Sequence, residues 1–557
     1  MKMKRLVVLG VIGLTCLSLV ACTSQNMKQD KNNFNRSLVQ TVTGGKIKGH
    51  EDEDHNVLEW LGLPYAKAER WEAPTRVDKW SETLDATKAG ESDIQFSSGK
   101  VSGIENALNL DISRPNSSDK NLPVIVYIHG GNNQTGTAQE IQGNDFVNDI
   151  NAVYVSVNYR LGVFGFNPLQ ALKTGTAEKN SGNYALLDIL AALDWVQGNI
   201  ETFGGNKDNV TLAGFSAGGR DVMATLISPM FKGKYNKAIS FSGGMTLADM
   251  SDSQTIFAKA IAPLVVNDGV KSSEEEAQKW LLTSGSDVAD YLAGLSAERL
   301  AQLMDNAAIR MSVFPHLYKD GTVIPKEGFS TSSFNDVPLL LFTGTNEFSL
   351  FAAYDNYFAR DFTSGRIFHD SEKMAAFDYV KNYGGQLYRL SNGVESAKKL
   401  SGNYKSPIYI GEISYGDDSQ VTPDLARTFG AFHGIFEPML QSPSNYASII
   451  GNSFDNKGAQ AMSKDFKLYL KQFLDTGDPN KANLTRWSSW SDNNQVLTIT
   501  ANQNKKKIMS SQDNVTAEEV LTQMNADTTL SDSLKYQMNT QVLNGRWFSS
   551  VVDSQFK

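Results

Sequence analysis

Apolar positions along the chain alternate between two patterns. Val124-Ile125-Val126-Tyr127-Ile128, Val153-Tyr154-Val155-Ser156-Val157, Val210-Thr211-Leu212-Ala213 and Leu339-Leu340-Leu341-Phe342-Thr343 are short, nearly unbroken apolar or β-branched runs. Such runs read as strands covered on both faces. Between the second and third, Leu186, Ile189, Leu190, Leu193, Val196, Ile200 and Phe203 recur at spacings of three and four, and Gly204-Gly205 stops the pattern. That is a helix with a glycine stop. Strand–helix–strand order predicts the α/β class with a largely parallel sheet. Residues 245–335 and 352–420 are more polar and interrupted, and read as helical or irregular excursions above the sheet. Ser273 and Glu276 have capping-box spacing ahead of Ala277, Trp280 and Leu281. Beyond about residue 508 the same signal returns at Thr516 and Glu519, followed by an apolar stripe of Leu534, Met538 and Val542 that ends at Gly545. Lys505-Lys506-Lys507 reads as a solvated turn.

The first residues follow a different logic. Lys2, Lys4 and Arg5 precede an apolar stretch from Leu6 to Val20, then Leu19-Val20-Ala21-Cys22. The stretch is shorter than the roughly 20 residues a spanning helix needs, so it reads as an export leader. Leu-Val-Ala-Cys resembles the bacterial lipoprotein box, which makes Cys22 the expected site of acylation and the mature N-terminus. Thr23 to Arg36 is polar and reads as a tether. The expected placement is extracytoplasmic, anchored by lipid to a bacterial membrane.

Composition narrows the classes. With 41% hydrophobic and 20% charged residues in 557, the chain is an ordinary globular protein. The net charge is −9 with no long basic run, which argues against nucleic acid as a partner. Removing residues 1–21 deletes three positive charges and no negative one, taking the net charge to −12. Two cysteines, Cys16 in the leader and Cys22, exclude a disulfide framework or a cysteine-rich metal site.

The chemistry centres on Gly214-Phe215-Ser216-Ala217-Gly218, which follows a predicted strand and precedes a predicted helix from Gly219 to Leu226. This is the context of a nucleophile elbow, with a serine on a tight turn flanked by glycines. A serine hydroxyl needs a base. In elbow folds the base follows both serine and acid along the chain, which counts against His50, His55 and His129. His316 and His369 stay open, and His433, in Gly430-Ala431-Phe432-His433-Gly434, is best placed. An acid belongs between them just past a strand end. Glu347, directly after the Leu339–Thr343 run, is the candidate, with Asp320 and Asp336 as weaker rivals suited to turns. His129-Gly130-Gly131-Asn132 follows the Val124–Ile128 run, where a loop of oxyanion-binding N–H groups belongs, and the Ala217 N–H is a further donor. His129 itself reads as structural.

These motifs, with others in consecutive order from about residue 37 to 495, resemble the type-B carboxylesterases, the family of the cholinesterases and bacterial para-nitrobenzyl esterases. The others are Gly62-Leu63-Pro64-Tyr65-Ala66, Glu105 to Ile112, Asn158 to Phe166, Gly182-Asn183-Tyr184, Leu186-Leu187-Asp188, Phe203 through Gly219, Asp320-Gly321 and Thr476 to Asn480. The resemblance implies an α/β-hydrolase fold and a triad of Ser216, Glu347 and His433. It also implies oxyanion donors at Gly131, Asn132 and Ala217, a supporting serine at Ser242, and structural ion pairs Arg70–Glu105 and Arg160–Asp188, both expected to be buried. No metal or organic cofactor is implied. The expected substrate is a small-molecule ester, and the membrane is met only through Cys22.

Several positions depart from the family pattern. Phe215 stands where glutamate is usual, which removes a carboxylate from beside the triad and disfavours a cationic substrate. Asn132 stands where the family has a third glycine, Ala107 replaces a disulfide cysteine, and Phe348 follows the acid in a shortened loop. The expected organisation is a leader over 1–21, lipidated Cys22 and tether over 22–36, a hydrolase domain over 37–500, and a helical extension over 501–557 packed on it. A lipase, thioesterase or amidase would use the same machinery. A non-catalytic binding protein on this fold, as in the neuroligins, is the reading from a different class.

Overall fold

The computed structural model describes residues 33–304 and 307–556. The leader, Cys22 and all of the tether before Asn33 lie outside the described residues. Phe34 to Lys557 forms one compact unit.

The four apolar runs become the middle of an eleven-stranded sheet. In chain order its strands are β1 (His50–Asp52), β2 (Val57–Pro64), β3 (Asn109–Pro115), β4 (Leu122–Ile128), β5 (Val153–Val157), β6 (Gly205–Phe215), β7 (Lys237–Phe241), β8 (Leu339–Gly344), β9 (Ile408–Ile413), β10 (Gln495–Ala501) and β11 (Lys506–Gln512). The spatial order is β11-β10-β9-β8-β7-β6-β4-β5-β3-β2-β1. From β10 through β5 neighbouring strands run parallel, and the outer pairs are antiparallel. Every residue of β4, β5, β7, β8 and β9 is buried. This explains why those runs do not alternate: helices cover both faces, and each side chain is removed from water.

The predicted helix is α1 (Tyr184–Asn199), continued by a 3₁₀ turn to Phe203 and stopped at Gly204 in the left-handed region. After the elbow comes α2 (Ala217–Thr225), which packs on β6 and β7. The longer α3 (Ser371–Asn392) and α4 (Lys457–Thr476) also lie against the sheet. Ser273 caps the helix Glu274–Leu281, and Thr516 with Glu519 forms a complete capping box on Ala517–Ala526.

Three parts differ from expectation. The polar excursion over 352–420 contains β9, a central strand. Its Glu412 interrupts an apolar run and is tolerated because Arg389 of α3 bonds it inside the fold. The extension over 501–557 is not helical throughout, because it opens with β11. Lys506 and Lys507 sit on that strand instead of in a turn, and Lys506 bonds Asp465 of α4. Lysines suit an exposed edge, where they discourage pairing with another chain. Finally, the stretch counted as tether is anchored at Phe34, which is 6% exposed, with the Arg114 guanidinium 3.9 Å from its ring centroid.

Candidate active site

The carboxyl ends of β4, β6, β7 and β8 converge, which is where open α/β sheets present their chemistry. Ser216 directly follows β6 and has φ 56° and ψ −115°, a strained conformation for a residue with a side chain. The turn closes because its glycines lack a Cβ. One built on Gly214 would lie 2.3 Å from the Gly218 carbonyl oxygen, and one on Gly218 would lie 2.1 Å from that of Ile128.

Glu347 is fully buried beyond β8 and its two oxygens have separate duties. Oε1 accepts from Ser242 Oγ at 2.5 Å, Gly344 N at 2.6 Å and Thr343 Oγ1 at 3.1 Å. Oε2 accepts from His433 Nδ1 at 2.5 Å. The other ring nitrogen, Nε2, is buried with no protein partner among the described residues. His433 and Ser216 line the same cleft, of about 640 Å³. The imidazole is held by aromatic rings: Phe215 at 4.8 Å between centroids, Phe351 at 5.0 Å and Tyr388 at 5.4 Å. Tyr388 in turn stacks on Phe548 at 4.6 Å and 14°, so the C-terminal extension backs the ring that backs His433. Phe348 also meets Phe548, which accounts for a large residue at that place in the acid loop.

Gly131 and Asn132 line the cleft, and Ala217 begins α2 beside Ser216. None of their backbone N–H groups donates to a protein acceptor among the described residues. Asn132 takes φ 56°, a left-handed conformation that asparagine tolerates better than most residues.

Other histidines sit elsewhere. His129 is buried, stacks on Tyr159 at 4.5 Å, and is pushed down to about 4 by burial. His316 is buried among Phe166 and Phe314, and His369 is exposed. Asp320 accepts three backbone N–H groups of its own turn, and Asp336 accepts those of Lys405 and Ser406. Arg160 and Asp188 form a fully buried bidentate pair at 2.7 and 2.8 Å. Arg70–Glu105 is bidentate too, but its side chains are about one-fifth exposed, so it is not the buried pair expected.

Two carboxyl groups were missed by sequence reasoning. Glu140 lines the cleft and accepts from Gly130 N and Tyr127 Oη. A Cβ placed on Gly130 would be 3.1 Å from Glu140 Oε1 and 3.2 Å from Ser216 Cβ, so Gly130 stands between this carboxyl and the Ser216 turn. The site therefore does not lack a carboxyl because of Phe215; it comes from a different loop. Burial raises it to about 7. Asp417 joins the loops of Glu347 and His433, accepting at Oδ1 from Asn346 Nδ2 and Ala431 N, both at 2.7 Å. Nothing local in the sequence marks either residue, because their partners are distant along the chain.

Comparison with known proteins places the chain in a family. The Bacillus subtilis para-nitrobenzyl esterase is 32% identical over 359 residues, covering 61% of this chain and 68% of that protein. Carboxylesterase 1D of Mus musculus is 32% identical over 552 residues, covering 88% and 94%. A Geobacillus stearothermophilus carboxylesterase structure superposes with a TM-score of 0.64 at 23% identity, over 85% of this chain and 98% of that one, which supports the α/β-hydrolase fold. Residues 35–386 match the carboxylesterase family, and the chain belongs to that family.

Proposed function

We propose that the chain is a serine esterase in which Ser216 is the nucleophile, His433 the general base and Glu347 the acid that orients it. The observation that carries this is the His433–Glu347 bond. With Nδ1–H given to Glu347, Nε2 keeps a lone pair that no protein group among the described residues uses, and His433 lines the same cleft as Ser216. Nε2 takes the hydroxyl proton as Oγ attacks the ester carbonyl, and Glu347 stabilises the imidazolium. The oxyanion is received by the N–H groups of Gly131, Asn132 and Ala217. His433 then protonates the leaving alcohol. Water, activated by the same nitrogen, hydrolyses the acyl-enzyme and frees Ser216. Phe215, Leu161, Val163, Phe164 and Ile309 line the cleft, and among the described residues no Lys or Arg does, so an apolar ester without negative charge suits it.

The test is hydrolysis of acyl esters of graded chain length by the unit from Phe34 onward, beside Ser216→Ala. Activity that disappears in the variant is expected. A folded protein inactive on every ester, or equal activity in the variant, would sink the assignment.

The leader and Leu-Val-Ala-Cys also support export and anchoring through an acylated Cys22, which would hold the enzyme on a bacterial membrane outside the cytoplasm. Cells fed a labelled fatty acid should label the protein but not Cys22→Ser. Equal labelling of both would refute the anchor.

A further inference from the structure

The loop that carries Gly131 and Asn132 has a conformation that needs explaining. Asn132 and Asn133 are consecutive non-glycine residues in the left-handed region, at φ 56° and 57°. Such a pair holds its shape only when its surroundings determine it. Here the two side chains reach two consecutive residues of α2. Asn132 Oδ1 accepts from Arg220 Nη2 at 2.8 Å, and Asn133 Nδ2 donates to Asp221 Oδ1 at 2.8 Å. The free ends of both amides are also engaged. Asn132 Nδ2 donates to Gln134 Oε1, and Asn133 Oδ1 accepts from Tyr159 Oη.

The helix partners are an unusual choice for purely structural duty. Arg220 is 2% exposed and Asp221 is fully buried. Among the described residues Arg220 has no carboxylate within ion-pair distance. Beyond Asn132 it meets the Met311 sulfur at 3.9 Å and the Trp547 ring at 5.9 Å. Asp221 Oδ2 has no partner among the described residues. Burying a charge costs heavily unless its bonds are well used, and these two groups direct theirs to the side-chain amides of one loop.

What that loop shares with α2 gives the arrangement its meaning. Two proposed oxyanion donors lie on the loop and the third, Ala217 N–H, lies one turn before Arg220 on the helix. Resting on the assignment of Ser216 as nucleophile, we propose that Arg220 and Asp221 are positioning residues. They clamp Asn132 and Asn133 so that the loop donors and the helix donor keep a fixed separation. The clamp takes the place of a third glycine: the loop is held by side-chain bonds. An oxyanion hole works by donors already in place when charge develops, so the clamp acts on the chemical step and little on substrate binding.

The test is a double-mutant cycle on purified protein, with kcat, KM and melting temperature for Arg220→Met, Asn132→Gly and the pair, beside Arg220→Lys and Ser216→Ala. Arg220→Met should lower kcat by roughly tenfold to a hundredfold with KM little changed. The pair should fall no further than the worse single variant, and Arg220→Lys should recover part of the loss. Losses that multiply in the pair, or an unchanged kcat in folded Arg220→Met, would overturn the clamp. If Arg220→Met does not fold, Asn132→Gly alone keeps the backbone donor and tolerates the left-handed conformation while losing the side-chain bond to Arg220. A fall in kcat at constant KM supports the proposal, and an unchanged kcat overturns it. Activity remaining in Ser216→Ala would instead remove the nucleophile assignment, a failure visible separately from any result at Arg220.

Discussion

Phe215 lies against His433, ring centroids 4.8 Å apart and planes 32° from parallel, and its other neighbour, Phe436, meets it edge-on at 5.1 Å. The residue before the proposed nucleophile thus forms part of the wall that fixes the proposed base. Phe215→Leu keeps most of the volume and removes the ring contact. Stability should fall by about 1 kcal/mol, while kcat falls several-fold with KM nearly constant. Steady-state kinetics beside a thermal melt would check it, and a change confined to KM would show that Phe215 serves only the substrate.

Glu347 divides its oxygens between His433 and three donors, so two substitutions separate those duties. Glu347→Gln keeps shape but favours the wrong imidazole tautomer, and kcat should drop by about 10³–10⁴. Ser242→Ala removes one charge-assisted bond to Oε1 and should cost roughly tenfold. Equal losses in both would contradict this division.

Glu140 gives a pH signature. Its native carboxyl keeps its proton to about 7, whereas its ordinary value is 4.5. Between those values the unfolded chain binds fewer protons than the native one, so this group's contribution falls as pH rises and is lost above about 7. Glu140→Gln should therefore flatten the decline in melting temperature from pH 5 to pH 8 relative to the unaltered protein. Parallel pH profiles for the two proteins would refute the assignment.

The two bidentate ion pairs should respond differently. Asp188→Asn leaves the Arg160 guanidinium buried without its carboxylate and should cost about 3–5 kcal/mol. Glu105→Gln acts at a pair with access to water and should cost about 1 kcal/mol or less. Urea denaturation of both variants measures the contrast.

The sheet and the elbow could be read from the chain because their signals are local: unbroken apolar runs, a glycine-flanked serine, capping boxes. What escaped depends on partners brought in by folding. The run of β9 is hidden by Glu412 until Arg389 arrives from α3. Phe34 looks like part of a polar tether until the Arg114 side chain covers it. Glu140 sits in an unremarkable stretch, and only the approach of its loop to Gly130 brings its carboxyl to the cleft. Asn132 stands where the family has a glycine, and the partner of its side chain lies on another element, at Arg220.

The stack from His433 through Tyr388 to Phe548 has a consequence for synthesis. Ser216 is made 332 residues before Phe548, the ring that stacks on Tyr388 behind His433. Until Phe548 has left the ribosome, Tyr388 lacks the ring that stacks on it. The bracing of the imidazole is therefore completed only once Phe548 has been made and packed, and a chain cut short before it would carry every proposed reactive group but an unbraced site.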